Sequence, residues 1–274
     1  QVLVAGASGG VGGAVVRSLV QSGSDVLAIV RRPEEARQLL ASYDGAVHPL
    51  LVDITDQDSL DQCQQQLEVL GPIDALVNCA GGSLPGALMI MPPADLRAQL
   101  ELNLIAQVAL VQTALPGLRR GVASHGSARV VMIGSIAGRA TGALLGAYST
   151  AKYGLVAATT ALRCELAHEG IGVTLLEPGS IKTGLWAKNE EALERLRQQP
   201  DLARLLPGQL RRLELVVRRG ARSGMSPDAV ALAVQKALTS KRPPADRLIG
   251  RDARVIAALQ RHLPRRVMDR LLRG

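Results

Sequence analysis

The chain has 274 residues, of which 47% are hydrophobic, and it carries a formal net charge of +8 at pH 7. A chain of this length and composition can bury the core of one large domain, which excludes a disordered or fibrous protein. Aromatic residues make up 1% of the chain and phenylalanine is absent. Stacking platforms for bases are therefore nearly missing, and we expect no nucleic-acid partner. No apolar run reaches the roughly 18 residues that a membrane-spanning helix needs.

The cysteines and histidines suggest neither a metal site nor a disulfide framework. Three cysteines stand at positions 63, 79 and 164, without the spacing of metal ligands, and four histidines are scattered. An odd, sparse set of thiols is typical of a reducing compartment. The sequence opens directly on a strand-like run rather than on a secretory leader. We therefore predict a cytoplasmic protein with no metal.

Short apolar runs alternate with helical patterns along the chain. Strand-like runs lie at 2–5, 25–30, 47–52, 73–78, 129–134, 172–177 and, more weakly, 246–249. Helical patterns lie near 11–22, 33–42, 56–70, 94–118 and 148–169. This alternation predicts a parallel sheet covered by helices on both faces, and right-handed crossovers make it a doubly wound α/β fold of about seven strands. We expect a single domain over residues 1–274, since no linker or internal repeat interrupts the pattern.

A glycine-rich turn follows the first strand and opens the first helix. Its glycines Gly6, Gly10 and Gly12 would let the backbone approach a diphosphate, whose negative charge is favoured at a helix N-terminus. A turn that is merely flexible is the alternative for this motif taken alone.

Charged residues follow the second and third strands. Arg31 and Arg32 stand where a chain that prefers NAD usually carries an acid for the ribose hydroxyls. Two guanidinium groups suit a 2′-phosphate instead, so we predict NADP(H) rather than NAD(H). A solvated basic turn is the alternative. Asp53 would either accept a hydrogen bond from the adenine amine or serve as an acid at the N-terminus of the next helix.

The stretch 135–152 holds the groups best suited to proton transfer. Tyr148 and Lys152 are four residues apart at the start of a helical pattern, so their side chains share one face. An ammonium beside a phenol stabilises the phenolate, and we expect the pKa of Tyr148 to be lowered. Ser135 would stand at the carboxyl end of a strand, where open α/β sheets bind their ligands. Asn103 is polar among apolar neighbours, and a satisfied core asparagine is the alternative there.

These motifs together resemble the short-chain dehydrogenase/reductase family. In chain order they are Gly6-x-x-x-Gly10-x-Gly12, Asn78-x-Ala80-Gly81, Asn103, Ser135, Tyr148-x-x-x-Lys152 and Pro178-Gly179. The resemblance is close over about residues 2–183 and loose beyond. The chain departs from the family pattern at Ala5, where threonine is more usual, and at Cys79, where a second asparagine is common.

The resemblance implies a Rossmann-like oxidoreductase that moves a hydride between NADP(H) and an alcohol or carbonyl. Tyr148 would be the general acid in reduction and the base in oxidation, with Lys152 lowering its pKa and Ser135 binding the substrate oxygen. Asn103 would hold a water that relays protons to Lys152. The implied cofactor contacts are Gly6, Ser8, Gly10, Val11, Gly12, Arg31, Arg32, Asp53, Ile54, Asn78, Ala80, Gly81, Tyr148, Lys152, Pro178, Gly179, Ile181 and Thr183.

Two later segments break the strand–helix rhythm. Residues 185–222 are rich in leucine and hold the only tryptophan. The resemblance places a substrate cover here, and a lid over a lipophilic substrate is our prediction. A pair of packed surface helices is the alternative. Residues 251–274 carry seven arginines among apolar side chains, a pattern typical of a basic helical tail that docks on the domain or contacts an anionic membrane surface.

The region after Ser226 is similar, more weakly, to the subgroup containing 17β-hydroxysteroid and retinol dehydrogenases. The predicted activity is therefore the NADP(H)-dependent interconversion of a steroid-like, retinoid-like or similarly lipophilic alcohol and its ketone or aldehyde. One alternative is a reductase of 3-oxoacyl thioesters, whose acidic carrier protein would meet the basic segment 204–222. Another is a non-catalytic NADP(H)-binding sensor or scaffold. The resemblance to the short-chain dehydrogenase/reductase family further implies a homodimer or homotetramer, with subunit contacts formed by helical stretches 94–118 and 148–169.

Overall fold

The computed structural model describes residues 1–273, apart from the side chains of Ala203, Leu271 and Arg273, and contains a seven-stranded parallel sheet. The strands are β1 (Val2–Ala5), β2 (Val26–Val30), β3 (Val47–Leu51), β4 (Ala75–Asn78), β5 (Ala128–Ile133), β6 (Ile171–Pro178) and β7 (Asp246–Ile249). Their order across the sheet is β3-β2-β1-β4-β5-β6-β7. The direction in which successive strands are added to the sheet reverses between β1 and β4, and such a switch point is where ligands bind in open α/β sheets.

Helices cover both faces of this sheet. The first six are α1 (Gly10–Gln21), α2 (Pro33–Ser42), α3 (Gln57–Leu70), α4 (Pro93–Leu100), α5 (Ala106–His125) and α6 (Gly146–Leu166). The later ones are α7 (Leu185–Arg197), α8 (Pro200–Leu205), α9 (Pro207–Ser223), α10 (Pro227–Thr239), α11 (Arg251–His262) and α12 (Arg265–Arg273).

The core lies in two clusters, one on each face of the sheet. Successive side chains of a strand point to opposite faces, and in β1 Leu3 joins the cluster with α3, α5 and α6 while Val4 joins the cluster with α1 and α10. All four residues of β1 are buried. This pattern confirms the predicted doubly wound α/β fold, and all seven predicted strands are present within about two residues of their expected bounds.

The predicted helix over 94–118 is wrong in its continuity and its end. Helix α4 passes into a π-helical turn at Glu101–Ile105 before α5 begins, and α5 runs through Pro116 to His125. The Asn103 side chain inside that turn donates a hydrogen bond to the Gln99 carbonyl at 3.1 Å. A side chain that takes a backbone acceptor competes with the regular helical ladder, so a local widening of the helix accompanies it.

Helices α7, α8 and α9 pack around a small apolar cluster of their own. In α9, Leu210, Leu213 and Val217 are buried at helical spacing. The cluster also contains Ala87 from the loop after β4 and Leu144 from the loop after β5. The leucine-rich segment is therefore helical and lies against the loops at the carboxyl edge of the sheet.

The basic tail also folds back onto the domain. Ala253 of α11 and Met268 of α12 are buried, and the Leu272 carbonyl lies next to Gly142 in the loop after β5. Among the described helices none combines the length and the apolar character needed to cross a membrane.

Candidate active site

Ser135, Tyr148 and Lys152 converge just beyond the carboxyl end of β5. Ser135 is extended and begins a short 3₁₀ turn, where its hydroxyl accepts a hydrogen bond from the Ala137 amide at 3.1 Å. The same hydroxyl is the hydrogen-bond partner of the Tyr148 phenol. Gly138 allows this approach, since a Cβ there would lie 2.8 Å from the Lys152 carbonyl oxygen. The 3₁₀ turn can therefore press against α6 and bring the two hydroxyls together.

Lys152 lies one helical turn below Tyr148 and is only 3% exposed. Its Nζ donates a hydrogen bond to the Ile133 carbonyl at 3.1 Å and stands 5.9 Å from the centre of the Tyr148 ring. Burial lowers the pKa of Lys152 to about 8. The ammonium form of Lys152 therefore predominates at neutral pH, which lies only about one unit below this pKa.

The expected lowering of the Tyr148 pKa is wrong for this structure. Enclosure by protein raises the pKa of Tyr148 above its ordinary value, and the hydrogen bond with Ser135 opposes that effect only in part. Desolvation penalises the charged phenolate, and this effect is the larger one. The phenol is accordingly protonated at neutral pH and has a proton to give.

The loop after β4 joins this group to the glycine turn. A Cβ on Gly6 would stand 3.0 Å from the Ala80 backbone, and one on Gly81 would stand 3.7 Å from Lys152 Nζ. The Asn103 amide fastens the next residue, Gly82, by accepting from its amide at 3.1 Å and donating to its carbonyl at 2.8 Å. Asn103 is thus satisfied by protein groups, while its predicted water relay stays a prediction.

Gln107 is a buried polar residue of this site that the sequence reasoning missed. Its Nε2 donates to the Ala80 carbonyl, and its own backbone carbonyl accepts from the Asn78 side chain at 3.2 Å. Among the described residues, no group forms a hydrogen bond with the carbonyl oxygens of the two side-chain amides, Asn78 Oδ1 and Gln107 Oε1. The sequence signal for Gln107 is a polar side chain one turn beyond Asn103 in an apolar helix.

The backbone conformation of the glycine turn leaves no room for side chains at Gly6 and Gly12. Gly6 adopts φ 68°, a conformation that favours glycine, and a Cβ on Gly12 would overlap the Gly6 carbonyl. Ser8 lies within the same turn, and Val11 lies in the first turn of α1, into which the glycine turn leads. The first turn of α1 contains no acidic residue, so its amide groups and the helix dipole are available to an anionic ligand.

The loop after β6 closes the other side of the turn. The Gly179 amide donates to the Ile249 carbonyl at 2.9 Å, and Ile181 pairs with Met225 in an isolated parallel bridge. Thr183 lies against Gly10. A cavity of about 550 Å³ is lined by residues of this loop, by Gly10 and by Trp186 of α7. Pro178, at the end of β6, leads into this loop.

The residues after β2 and β3 that are predicted to contact the adenosine part of the cofactor bind protein groups in this structure. Arg32 is 72% exposed in its side chain and binds Glu35 through Nη2 at 2.8 Å. Asp53 accepts hydrogen bonds from the amide and hydroxyl of Thr55, which lower its pKa. The cap of α3 is Asp56, not Asp53. The Ile54 side chain is buried in the core, which leaves only its backbone for a ligand.

Comparisons with known proteins show which sequences and structures this chain resembles. The sequence profile described as short chain dehydrogenase matches residues 1–194. The NADPH-dependent 3-dehydrocapnine reductase of Ornithobacterium rhinotracheale is 30% identical over 98% of this chain and 94% of its own. The 3-ketodihydrosphingosine reductase of Bacteroides thetaiotaomicron is 29% identical over 99% and 96% of the two chains.

A solved structure shares the fold. The short-chain dehydrogenase from Streptomyces avermitilis superposes with a TM-score of 0.77 at 26% identity, covering 94% of this chain and 90% of that one. Its overall architecture and the profile match extend the likeness from the glycine turn to the Tyr148–Lys152 helix. The chain belongs to the short-chain dehydrogenase/reductase family of oxidoreductases, which act on CH–OH and C=O groups.

Proposed function

We propose that the chain is an NADP(H)-dependent reductase of a ketone in a lipophilic substrate, with Tyr148 as the proton donor. The observation that carries the proposal is the pairing of the Ser135 and Tyr148 hydroxyls beside the Lys152 ammonium. This pairing stands at the sheet edge where the glycine turn offers a cradle for a diphosphate.

The chemistry follows from the protonation states of these groups. The bound dinucleotide supplies the hydride. The Ser135 and Tyr148 hydroxyls both donate hydrogen bonds to the substrate carbonyl oxygen, which orients it and stabilises the charge that develops there. Because its pKa is raised, Tyr148 is protonated at neutral pH and gives its proton to that oxygen. The Lys152 ammonium then stabilises the phenolate left behind.

The residues that would hold the cofactor fit its chemical parts. The glycine turn, with Ser8 and Val11, would receive the diphosphate, and Lys152 would bind the hydroxyls of the nicotinamide ribose. Pro178, Gly179, Ile181 and Thr183 would surround the nicotinamide, while Asn78, Ala80 and Gly81 line the opposite wall. Asp53 and the Ile54 backbone would meet the adenine. Arg31 and Arg32 would take a 2′-phosphate, and the NADPH-dependent relative supports that preference.

The proposed substrate follows from the cover of the site. Helices α7 to α9 pack an apolar cluster against the loops after β4 and β5, and the partly buried side chains at its edge, Leu145, Trp186 and Leu206, suit contact with a lipophilic molecule. Two relatives are named for reducing 3-dehydrocapnine and 3-ketodihydrosphingosine, and the second name denotes a lipid ketone. A lipid ketone is therefore our proposal, and a steroid or retinoid substrate stays a prediction.

The experiment follows NADPH oxidation with a panel containing a sphingoid ketone, steroid ketones, retinal and small diketones, with NADH in parallel. Tyr148→Phe is the test variant, and we expect it to lose about 10²- to 10⁴-fold in turnover while still binding NADPH. Tyr153→Phe is the matched control, because Tyr153 lies on the same helix and its hydroxyl donates to the Arg139 carbonyl instead.

Two results would contradict the proposal. Unchanged turnover in Tyr148→Phe would remove this residue as the proton donor. Tight NADPH binding by the wild type without turnover of any panel member would favour a sensor or scaffold.

A second candidate is a reductase of 3-oxoacyl thioesters. The outer face of α9 exposes Arg211, Arg218, Arg219 and Arg222, which would meet an acidic carrier protein. Turnover of carrier-bound 3-oxoacyl groups that falls with salt and with Arg218→Glu, without turnover of free lipid ketones, would select this function.

We also propose a homodimer or homotetramer through α4, α5 and α6, in the cytoplasm. Ile105 in the π-helical turn and Tyr153 on α6 are exposed in the single chain, and burial of such side chains is what a partner copy would provide. The solution mass from light scattering tests this assembly, and a monomer at micromolar concentration would contradict it.

A further inference from the structure

The carboxylate of Glu35 occupies the hydrogen-bond donors that follow β2. Its Oε2 accepts from the backbone amides of Arg31 and Arg32 at 3.3 and 3.2 Å. Its Oε1 accepts from Nε and Nη2 of Arg32 at 3.0 and 2.8 Å. The Ser8 hydroxyl, in the glycine turn, is a further partner. One side-chain anion thus gathers two amides, one guanidinium and one hydroxyl.

This position differs from that of an ordinary surface ion pair. The Glu35 side chain is only 15% exposed. Burial alone would raise the pKa of Glu35, but the hydrogen bonds from Arg32 and Ser8 prevail and lower it, so the carboxylate is ionised at neutral pH. The neighbouring Glu34 is instead well exposed and pairs with Arg37 along the helix surface. Glu35 turns inward toward the dinucleotide cradle, and Glu34 does not.

The same donors are the ones that a 2′-phosphate would use. Arg32 presents a fork of N–H groups that fits either a carboxylate or a phosphate face. Because the Glu35 carboxylate already binds the Arg32 guanidinium and both backbone amides, a phosphate must displace this carboxylate. The phosphate would then lie beside the negative charge of Glu35. NAD(H) carries a hydroxyl at this position, for which a carboxylate is a good acceptor.

We propose that Glu35 is a cofactor-selectivity residue whose carboxylate competes with the 2′-phosphate for Arg32 and the neighbouring amides, and so limits the preference for NADPH over NADH. The inference rests on the proposed function, in that it requires a dinucleotide in this cradle. It goes beyond that function because Glu35 belongs to neither the basic pair nor the glycine motif.

The experiment measures dissociation constants without any substrate. NADPH and NADH are titrated by the fluorescence of the bound nicotinamide, and 2′,5′-ADP and 5′-AMP by displacement. Glu35→Gln keeps an acceptor oxygen for the two amides and removes the charge. We expect NADPH and 2′,5′-ADP to bind about fivefold more tightly or better, with NADH unchanged or weaker. Glu34→Gln is the control and should leave the ratio of the two constants within about twofold.

Each possible change in the preference for NADPH over NADH either supports or overturns the proposal. A higher NADPH-to-NADH preference in Glu35→Gln, absent in Glu34→Gln, supports the proposal. An unchanged ratio in Glu35→Gln would mean that Glu35 only caps the helix. A lower preference for NADPH would mean that Glu35 positions Arg32 for the phosphate. Either result would overturn the proposal. If the wild type binds neither dinucleotide, the proposed function itself fails. Thermal unfolding of both variants shows that the fold is retained.

Discussion

Replacing Lys152 by methionine tests whether the proposed active site reduces the stability of the fold. Lys152 is 3% exposed, and burial lowers its pKa from 10.5 to about 8. At 1.36 kcal/mol per pH unit, this difference corresponds to about 3 kcal/mol of native-state destabilisation at pH 7. Methionine has a similar length and no charge, but it leaves the Ile133 carbonyl without its hydrogen bond, which costs about 1 kcal/mol.

The sign of the effect follows from proton binding. Below pH 8 the lysine is charged in both states, and the full penalty of burying that charge is present. Between about pH 8 and 10.5 the unfolded chain binds the proton and the native chain does not, so the stability of the wild type rises with pH. We therefore expect Lys152→Met to be about 2 kcal/mol more stable at pH 7, which raises Tm by about 5 °C. From pH 7 to 9.5 this advantage shrinks by about 2 kcal/mol.

The assay is chemical unfolding at fixed protein concentration across this pH range, with Lys241→Met as the matched control. Lys241 is exposed, and its loss should change the free energy of unfolding by less than about 0.5 kcal/mol at every pH. A Lys152→Met variant that is less stable than the wild type at pH 7, or whose advantage does not vary with pH, would refute the reasoning. Its NADPH oxidation should be lost in either case.

Three further predictions concern the same edge of the sheet. The kcat/KM for reduction should fall as pH rises through about 8, where Lys152 loses its proton; a flat profile to pH 9.5 would contradict this. Gly12→Ala should weaken NADPH binding about tenfold or more in titrations, since its Cβ overlaps the Gly6 carbonyl. Arg139→Leu should cost about 3 kcal/mol in chemical unfolding by leaving the fully buried Glu177 carboxylate unpaired, and adding Glu177→Gln should restore part of that loss.

The sheet and the position of the site could be predicted because both depend on local patterns. Strands buried on both faces are short continuous apolar runs, and the polar groups of the site follow directly after such runs. Ser135 comes two residues after β5 and Asn78 closes β4. Once the strands are parallel, their carboxyl ends meet at one edge, so the convergence of these residues required no knowledge of packing.

The features that were missed depend on what packs against each residue. A Tyr-x-x-x-Lys spacing places the phenol and the ammonium on one helix face, but the pKa of Tyr148 is decided by how completely protein encloses the phenol. The π-helical turn accompanies the hydrogen bond from Asn103 to the Gln99 carbonyl, and the other partners of the Asn103 amide lie 21 residues away at Gly82. Glu35 lies in the first turn of α2 and turns inward because Ser8 and Arg32 offer donors there.

Buried polar side chains at the carboxyl edge of the sheet position the proposed site and at the same time lower the stability of the core. Asn78, Asn103, Gln107 and Lys152 are each 3% exposed or less. An apolar core of this size would be more stable with aliphatic residues at these positions. Asn103 and Gln107 each hold a backbone group of the loop after β4, and that loop touches the glycine turn on one side and Lys152 on the other. The buried amides therefore fix the distance between the proposed dinucleotide cradle and the proposed proton-transfer group, a distance on which hydride transfer would depend.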